Sequence, residues 1–586
     1  MGSEPCQATS RIHYGNLVRL SANHEVHPCD DYYSHVCGYW HKTGRLTVAK
    51  AIWHQFLTRA MLRVAGRADH RPGSLTGMAT RYIRACLRPL EHNNVIEVRL
   101  VLSTGGIHWP SLPTRADFLF AVFYMARRVH SPVFFDVHEA EDGAQRLMTI
   151  TRDKAFEMMD AKLTELVNNA YAEEHYRVCC EAFAIVPGSV RRCPGLYEDF
   201  VKMKGFLDNR ASNVTETTDE LNATHLLRHT PSVSGDRWAD VVQYYFSASL
   251  SSLRVRMSGS LKQFTSAFLL HEHFGEEKAL DLVGWLAVQV LIHYTNSTLI
   301  ESFYRDPDVA IEEHHQRCFT TAYVVYGYAV NRLFMKDSDA NVIDVVSFAN
   351  NISTTFKNVL RNGTLLRSGF FPELRTVDVD RTFQILKASL AASDDNLSLP
   401  QLGNRPLKNK MRLGERDKPV ILAYGASDPT VFDGFQMSPQ HLNAPWNHPD
   451  ALPSALLGGL GMRLAGSLFV DYIKLSRMFQ HNYKENQKCL DPEGVSDSFG
   501  LDLQAAAASV NVALSLQDSR YSSASNQPFF DDRVALAFAC WLLCGDEERG
   551  RVMCNTPMKH SPYFARAFGC VEGSPMNPSV KCVMKV

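Results

Sequence analysis

Apolar side chains recur at three- and four-residue steps from Ala279 to Tyr294 and from Thr320 to Phe334. That spacing puts them on one helix face, so helices are predicted over both stretches. Much of the chain carries this pattern, and the fold class expected is mainly α with a small β part. Strand signals are short. PVILAYG, beginning at Pro419 and followed by SDPTVF, reads as two short strands broken by Gly425 and Pro429. Ala505 to Ala508 reads as a close-packed helical segment. Residues 404–419, NRPLKNKMRLGERDKP, crowd charge, Pro and Gly and read as a solvated linker. The long apolar stretches Leu282 to Ile292 and Val534 to Cys544 fall short of the ~18–20 residues of a membrane span and predict buried helices instead. No internal repeat is visible.

The length changes the picture first. A chain of 586 residues exceeds the ~250–300 that one hydrophobic core serves, so at least two packed units are expected. With 45% hydrophobic and 21% charged residues the composition is that of a folded globular protein. A formal charge of -1 removes the positive footprint of a protein that grips phosphate backbones, and nucleic acid is excluded as an expected partner. Fourteen cysteines fit an oxidising compartment better than a reducing one. Sequons at Asn213, Asn222, Asn296, Asn351, Asn362 and Asn396 mark the central region as a candidate for glycosylation. Residues 1–28 hold no apolar signal core, so a signal sequence or membrane anchor is expected upstream of them.

Two dense motifs stand far apart in the chain. HPCDDYYSHVCGYW occupies residues 27–40, and FARAFGCVEGSPMNPSVKCVMKV closes the sequence. Between them come RYIRACL around Cys86, HHQRCFTTAYVVYGYAVNRLF around Cys318 and GGLGM at 458–462. In content and order these resemble the motifs of the neprilysin and endothelin-converting-enzyme family of zinc peptidases. The resemblance implies a two-domain, mainly α ectodomain in which a thermolysin-like C-terminal part faces a helical second domain across a central cavity. The implied boundaries are an N-terminal segment 1–60 that joins the C-terminal part, a glycosylated helical domain 61–409 and a degenerate peptidase domain 410–586. It also implies four bridges: Cys29 to Cys570, Cys37 to Cys544, Cys86 to Cys318 and Cys489 to Cys582. Cys6, Cys179, Cys180, Cys193, Cys540 and Cys554 remain unassigned, with Cys179 or Cys180 near enough in sequence to pair with Cys193.

The family's metal chemistry is missing where the resemblance would put it. There, a glycine-rich turn runs into a helix bearing H-E-x-x-H, whose two histidines one turn apart hold zinc while the glutamate activates water. Aligned on GGLGM, the histidine positions become Gly466 and Val470 and the glutamate position Ser467. The third-ligand glutamate and its orienting aspartate map to Ala506 and Val510, with Asp502 a substitute carboxylate one turn earlier. The family's backbone-gripping asparagine motif appears as Leu422, Ala423 and Tyr424. His560-Ser561-Pro562 looks like the family's oxyanion-stabilising H-S-P but lies too close to the terminal signature, and reads as coincidental. The other histidine pairs, His24 and His27, His271 and His273, and His314 and His315, have the wrong spacing or diverge around a helix.

The expectation is therefore a pseudoenzyme: an extracellular glycoprotein, secreted or anchored, that holds no zinc and binds a peptide or protein ligand without cutting it. The alternatives are an active zinc endopeptidase, and a structural or dimerising partner of an active relative.

Overall fold

The structure, a computed structural model, describes residues 18–40, 47–66, 74–111, 117–326, 339–367, 453–521 and 531–586. Within these, 143–144, 170, 186, 211–217, 222, 253, 259–260, 364–365, 476–477, 493 and 495 are excepted, and 405, 407–409, 411 and 446 are added. In chain order the described elements include α1 (Tyr32–Cys37), α2 (Leu75–Leu87), α3 (Val95–Thr104), α4 (Phe118–Arg127), β1 (Asp136–Asp142), β2 (Gln145–Thr151), α5 (Ala172–Phe183), α6 (Cys193–Arg210) and β3 (Thr218–Leu221). They continue with α7 (Gly235–Phe246), β4 (Arg254–Ser258), α8 (Leu261–Phe274), α9 (Glu276–Val290), α10 (Ser297–Tyr304), α11 (Pro307–Tyr326), α12 (Asp339–Asn362) and β5 (Leu366–Arg367). The remainder are α13 (Met462–Leu475), α14 (Phe479–Leu490), α15 (Gly500–Tyr521), α16 (Asp532–Trp541), α17 (Glu547–Lys559), α18 (Pro562–Phe568) and β6 (Met584–Lys585). The fold is mainly α with a small sheet.

Local chemistry starts many of these helices. The side chains of Asp31, Asp117, Ser234, Asn296, Asp531 and Asp546 each accept from a backbone N–H in the first turn of the helix that follows, caps worth about 1 kcal/mol apiece.

The chain divides into two compact units: Met1–Thr76 with Ala322–Asn396 and Val420–Val586, and Gly77–Thr321 with Leu397–Pro419. This differs from the boundaries at 60 and 409 expected from the sequence. The helix α12 falls with the C-terminal part because it packs on α13 and α15. The linker reading of 404–419 also changes: Leu407 is wholly buried in the core of the second unit, Asn409 is buried, and the Lys408 N–H donates to Glu97 at 3.4 Å. An apolar Leu with a helical neighbour at Asn409 outweighs the surrounding charge.

In the second unit, α9 is buried along almost its whole length from Ala279 onward. Its Trp285 meets Tyr176 at 4.2 Å and Trp109 at 5.5 Å between ring centroids. Gly284 makes that approach possible, since a Cβ there would lie 2.4 Å from Trp109 Cβ. The four-stranded sheet runs β1-β2-β4-β3, parallel between β2 and β4 and antiparallel elsewhere. Its register aligns Val137, Ile150 and Met257 into one buried row, so period-two alternation feeds the core.

In the first unit, α1 is tied to the C-terminal helices. The Tyr33 N–H donates to Asn555 Oδ1 at 2.7 Å, the Tyr33 hydroxyl to the Asp546 carbonyl at 2.8 Å, and Met576 N–H to the Cys29 carbonyl at 3.0 Å. The run Pro453–Lys474 is long and apolar enough to cross a membrane by length and composition, but 83% of its most apolar window is buried in this core.

Six disulfides are present among the described residues. Four join the cysteines paired by the resemblance: Cys29–Cys570, Cys37–Cys544, Cys86–Cys318 and Cys489–Cys582. Cys180 pairs with Cys193, and Cys540 with Cys554. Cys179 is a free thiol, wholly buried, and burial pushes it up to about 12. Cys6 lies outside the described residues.

Candidate functional site

Two helices, α13 and α15, carry the positions that the resemblance assigns to metal chemistry, and they pack directly on each other. A π-helical turn, Leu457–Gly461, leads into α13. Its glycines let the backbone close on α16: a Cβ on Gly458 would sit 2.1 Å from the Ala535 carbonyl oxygen, and one on Gly459 2.8 Å from Phe538. Downstream, Gly466, Ser467 and Val470 are all buried in α13. Across the seam, Ala505 to Ala508 and Val510 are buried in α15. The small side chains explain the close packing, and the run of alanines is a packed helical segment.

Among the described residues, the five aligned positions of this seam offer no donor set for zinc. The metal takes thiolate, imidazole or carboxylate ligands, whereas Gly466, Val470, Ala506 and Val510 carry none and Ser467 only a neutral hydroxyl. Asp502, the substitute carboxylate, accepts from Arg549 Nη2 at 3.0 Å, and that guanidinium also lies 5.1 Å over the Phe499 ring. Its charge is held by a partner one turn away from the seam. Beside Ala506 and Val510 lies a cavity of about 50 Å³ whose walls include Trp446, Met462, Met553 and Met558. Short apolar side chains at the two α15 positions leave this room beside the buried Arg463 and Ser509, which share the cavity wall.

His560-Ser561-Pro562 has a structural place. The Ser561 hydroxyl donates to Asn511 Oδ1 at 2.9 Å, holding the α17–α18 junction to α15, and Pro562 opens α18. His560 Nδ1 accepts from the Cys582 N–H at 3.2 Å, and burial, with Lys559 and Lys581 nearby, pushes the imidazole down to about 4. It is a neutral anchor for the terminal segment.

The other histidine pairs diverge as well. His24 and His27 lie in turns before α1, with His27 Nδ1 accepting from the Cys29 N–H. His271 stacks on Phe118 and pairs with Glu276, while His273 stacks on Phe206. His314 is wholly buried and His315 half-buried. Of the sequons, Asn362 is exposed, Asn351 is half-buried in α12, and Asn296 caps α10 through its side-chain oxygen. Asn213, Asn222, Asn396 and the Leu422, Ala423, Tyr424 motif lie outside the described residues.

Two features escaped the sequence reading. Cys540 and Cys554 bridge adjacent helices, and the signal was their placement either side of the Asp546 cap that divides α16 from α17. The other is a buried group of Cys86, His314 and Cys318. His314 and Cys318 are spaced i, i+4, which puts both on one helix face, and that spacing is the signal the sequence carries.

No family model and no curated protein matches the chain. Solved structures do. The zinc metalloprotease Zmp1 of Mycobacterium tuberculosis, in complex with an inhibitor, is 12% identical with a TM-score of 0.60 over 94% of this chain and 96% of that one. PepO from Lactobacillus rhamnosis is 11% identical with a TM-score of 0.55, over 94% and 98%. A chain of the Haemonchus galactose-containing glycoprotein complex is 11% identical with a TM-score of 0.57, over the full length of both. The chain thus shares the neprilysin-like zinc metallopeptidase fold along nearly its whole length.

Proposed function

We propose that this chain is a non-catalytic, extracellular protein of neprilysin-like fold that binds peptides or proteins without cleaving them. The reading rests on the seam between α13 and α15, where Gly466, Ser467, Val470, Ala506 and Val510 offer neither zinc ligands nor a carboxylate to activate water. Without a metal to polarise a scissile carbonyl, ligand recognition falls to shape and apolar contact. Six disulfides fit an extracellular setting, and glycosylation at the sequons, together with a signal sequence or membrane anchor upstream, belongs to the same proposal. Purified, oxidised protein should hold no stoichiometric zinc by elemental analysis and should leave a library of extracellular peptides uncut. About one zinc per chain, with peptide hydrolysis lost on chelation, would mean an active endopeptidase and overturn this reading.

A second reading, a structural or dimerising partner of an active relative, has one observation in its favour. The chain matches a protein of the Haemonchus glycoprotein complex from end to end. Co-purification with an active relative, and no affinity for peptides, would favour this reading over the first.

A further inference from the structure

In the second unit, Cys86 on α2, His314 and Cys318 on α11, and His293 in the 3-10 turn Ile292–Tyr294 are all buried. His314 Nε2 lies 2.9 Å from the Cys86 carbonyl oxygen and 3.6 Å from Cys318 Sγ. On its other side, His314 Nδ1 is 3.3 Å from His293 Nδ1, and His293 Nε2 is 3.0 Å from the Tyr304 hydroxyl.

These contacts fix both tautomers. A carbonyl only accepts, so His314 carries its hydrogen on Nε2. Its Nδ1 therefore accepts from the Nδ1–H of His293, and His293 Nε2 accepts from the Tyr304 hydroxyl. The relay runs one way, from Tyr304 through two neutral imidazoles to Cys86. Burial pushes His293 well below its ordinary value and His314 down to about 3, which keeps both rings uncharged.

The sulfurs of Cys86 and Cys318 and a ring nitrogen of His314 lie within 4.8 Å of one another. With the bridge closed, both sulfurs are committed to each other. We propose that when the Cys86–Cys318 bridge is open, Cys86, Cys318 and His314 form a binding site for a thiophilic divalent ion, zinc first among them, with His293 and Tyr304 as its supporting shell. Two thiolates and an imidazole are ordinary zinc ligands, and three protein ligands leave a fourth position for water. A newly made chain whose bridge has not yet closed presents this state without any reductant.

From the closed state, a dithiol donates two electrons to the Cys86–Cys318 bond and itself closes to a disulfide, while each cysteine sulfur takes up one proton. Zinc then displaces those two protons as two Zn–S bonds form. For Nε2 of His314 to bind as well, its hydrogen must stand on Nδ1, where it donates to His293 Nδ1. The hydrogen of His293 then stands on Nε2 and donates to the Tyr304 oxygen. Each ring keeps one hydrogen, so the relay reverses with no charge left buried. A metal-bound histidine ordinarily donates its second N–H in this way. Zinc occupancy and bridge closure thereby compete for the same two sulfurs.

Site-resolved alkylation of the full-length chain tests this. The protein is reduced with a dithiol, freed of reductant, and treated with iodoacetamide with and without zinc. Zinc should slow alkylation of Cys86 and Cys318 at least about tenfold relative to the reference pair Cys37 and Cys544, with protection lost in His314→Gln. In chelator competition, His293→Ala should weaken zinc binding by about 10–100-fold, the usual effect of removing such a supporting partner. Equal alkylation rates for Cys86 and Cys318 with and without zinc in the unmodified chain would overturn the proposal, whether or not the variants fold. So would full protection in a His314→Gln protein with native circular dichroism.

Discussion

The α13–α15 seam of the first unit and the histidine–cysteine group of the second are opposites. The seam stands where the resemblance places metal chemistry, and its five aligned positions carry small or apolar side chains, with Arg463 buried alongside. The group on α2 and α11 has imidazoles and sulfurs within a few ångströms, and spends them on a disulfide and a tautomer relay. Position in a fold therefore does not decide chemistry; the donor atoms do. The five aligned seam positions carry no titrating group and have little to lose in acid, whereas the buried neutral imidazoles of His175, His293 and His314 tie the second unit to pH. His560 is a corresponding anchor of the first unit outside the seam.

The largest expected effect comes from forcing charge into the seam. Val510→Asp buries a carboxylate at a position now only 2% exposed. Left unpaired, it should cost about 3–5 kcal/mol in urea denaturation, the range seen for an uncompensated buried charge. Unchanged stability would mean that water reaches the seam or that the buried Arg463 pairs with the new carboxylate, and either way the contrast would collapse.

Acid should loosen the packing around His175 in the second unit before it reaches the seam. The His175 Nε2–H donates to Gln289 Oε1 at 2.7 Å, its Nδ1 lies 2.8 Å from Ser302 Oγ, and burial pushes the imidazole from 6.5 down to about 4. Its folded value lies below its unfolded one, so the stability it contributes is complete above pH 6.5 and drains away as pH falls towards 4, by about 3 kcal/mol. Hydrogen exchange at pH 7 and pH 4.5 should show α5 and α9 losing protection before α13 and α15. Simultaneous opening of all four helices would contradict the comparison.

The smallest effect compares two close backbone approaches. Gly458→Ala drives a Cβ to 2.1 Å from a backbone oxygen, and Gly284→Ala drives one to 2.4 Å from the Trp109 side chain. Each should cost about 1–3 kcal/mol as overpacking. Gly458→Ala should be the worse of the two by thermal denaturation, because a carbonyl in α16 has less freedom to move than an indole. The reverse order would make the second unit the more rigid.

How far the sequence could be read depended on whether a signal was local. Periodicity placed a helix at Ala279 to Tyr294, where the structure has α9 and the following 3-10 turn. It placed another from Thr320, but α11 begins at Pro307. The earlier turns of α11 carry Glu312, Glu313, His314, His315, Gln316 and Arg317, whose polarity hides the apolar stripe. The fold came from motifs spread over the chain rather than from any one stretch. The five seam positions were legible only through their alignment on GGLGM, while the burial that surrounds them was not. His293 was invisible as a neighbour of His314, because 21 residues and an intervening helix separate them and only tertiary packing closes the gap. Leu407 was misread for the same reason, since its core contacts come from elements more than a hundred residues away.

Cys29 is joined to Cys570 across 541 residues. At roughly 5–20 residues per second, a ribosome takes on the order of half a minute to two minutes to lengthen the chain from one to the other. Throughout that interval the thiol at Cys29 has no rightful mate, while those of Cys86, Cys180, Cys193 and Cys318 emerge in turn. The first unit cannot be completed as it is made. Its early segment must wait, exposed to wrong pairings that an isomerase would have to undo, until Cys570 has been added.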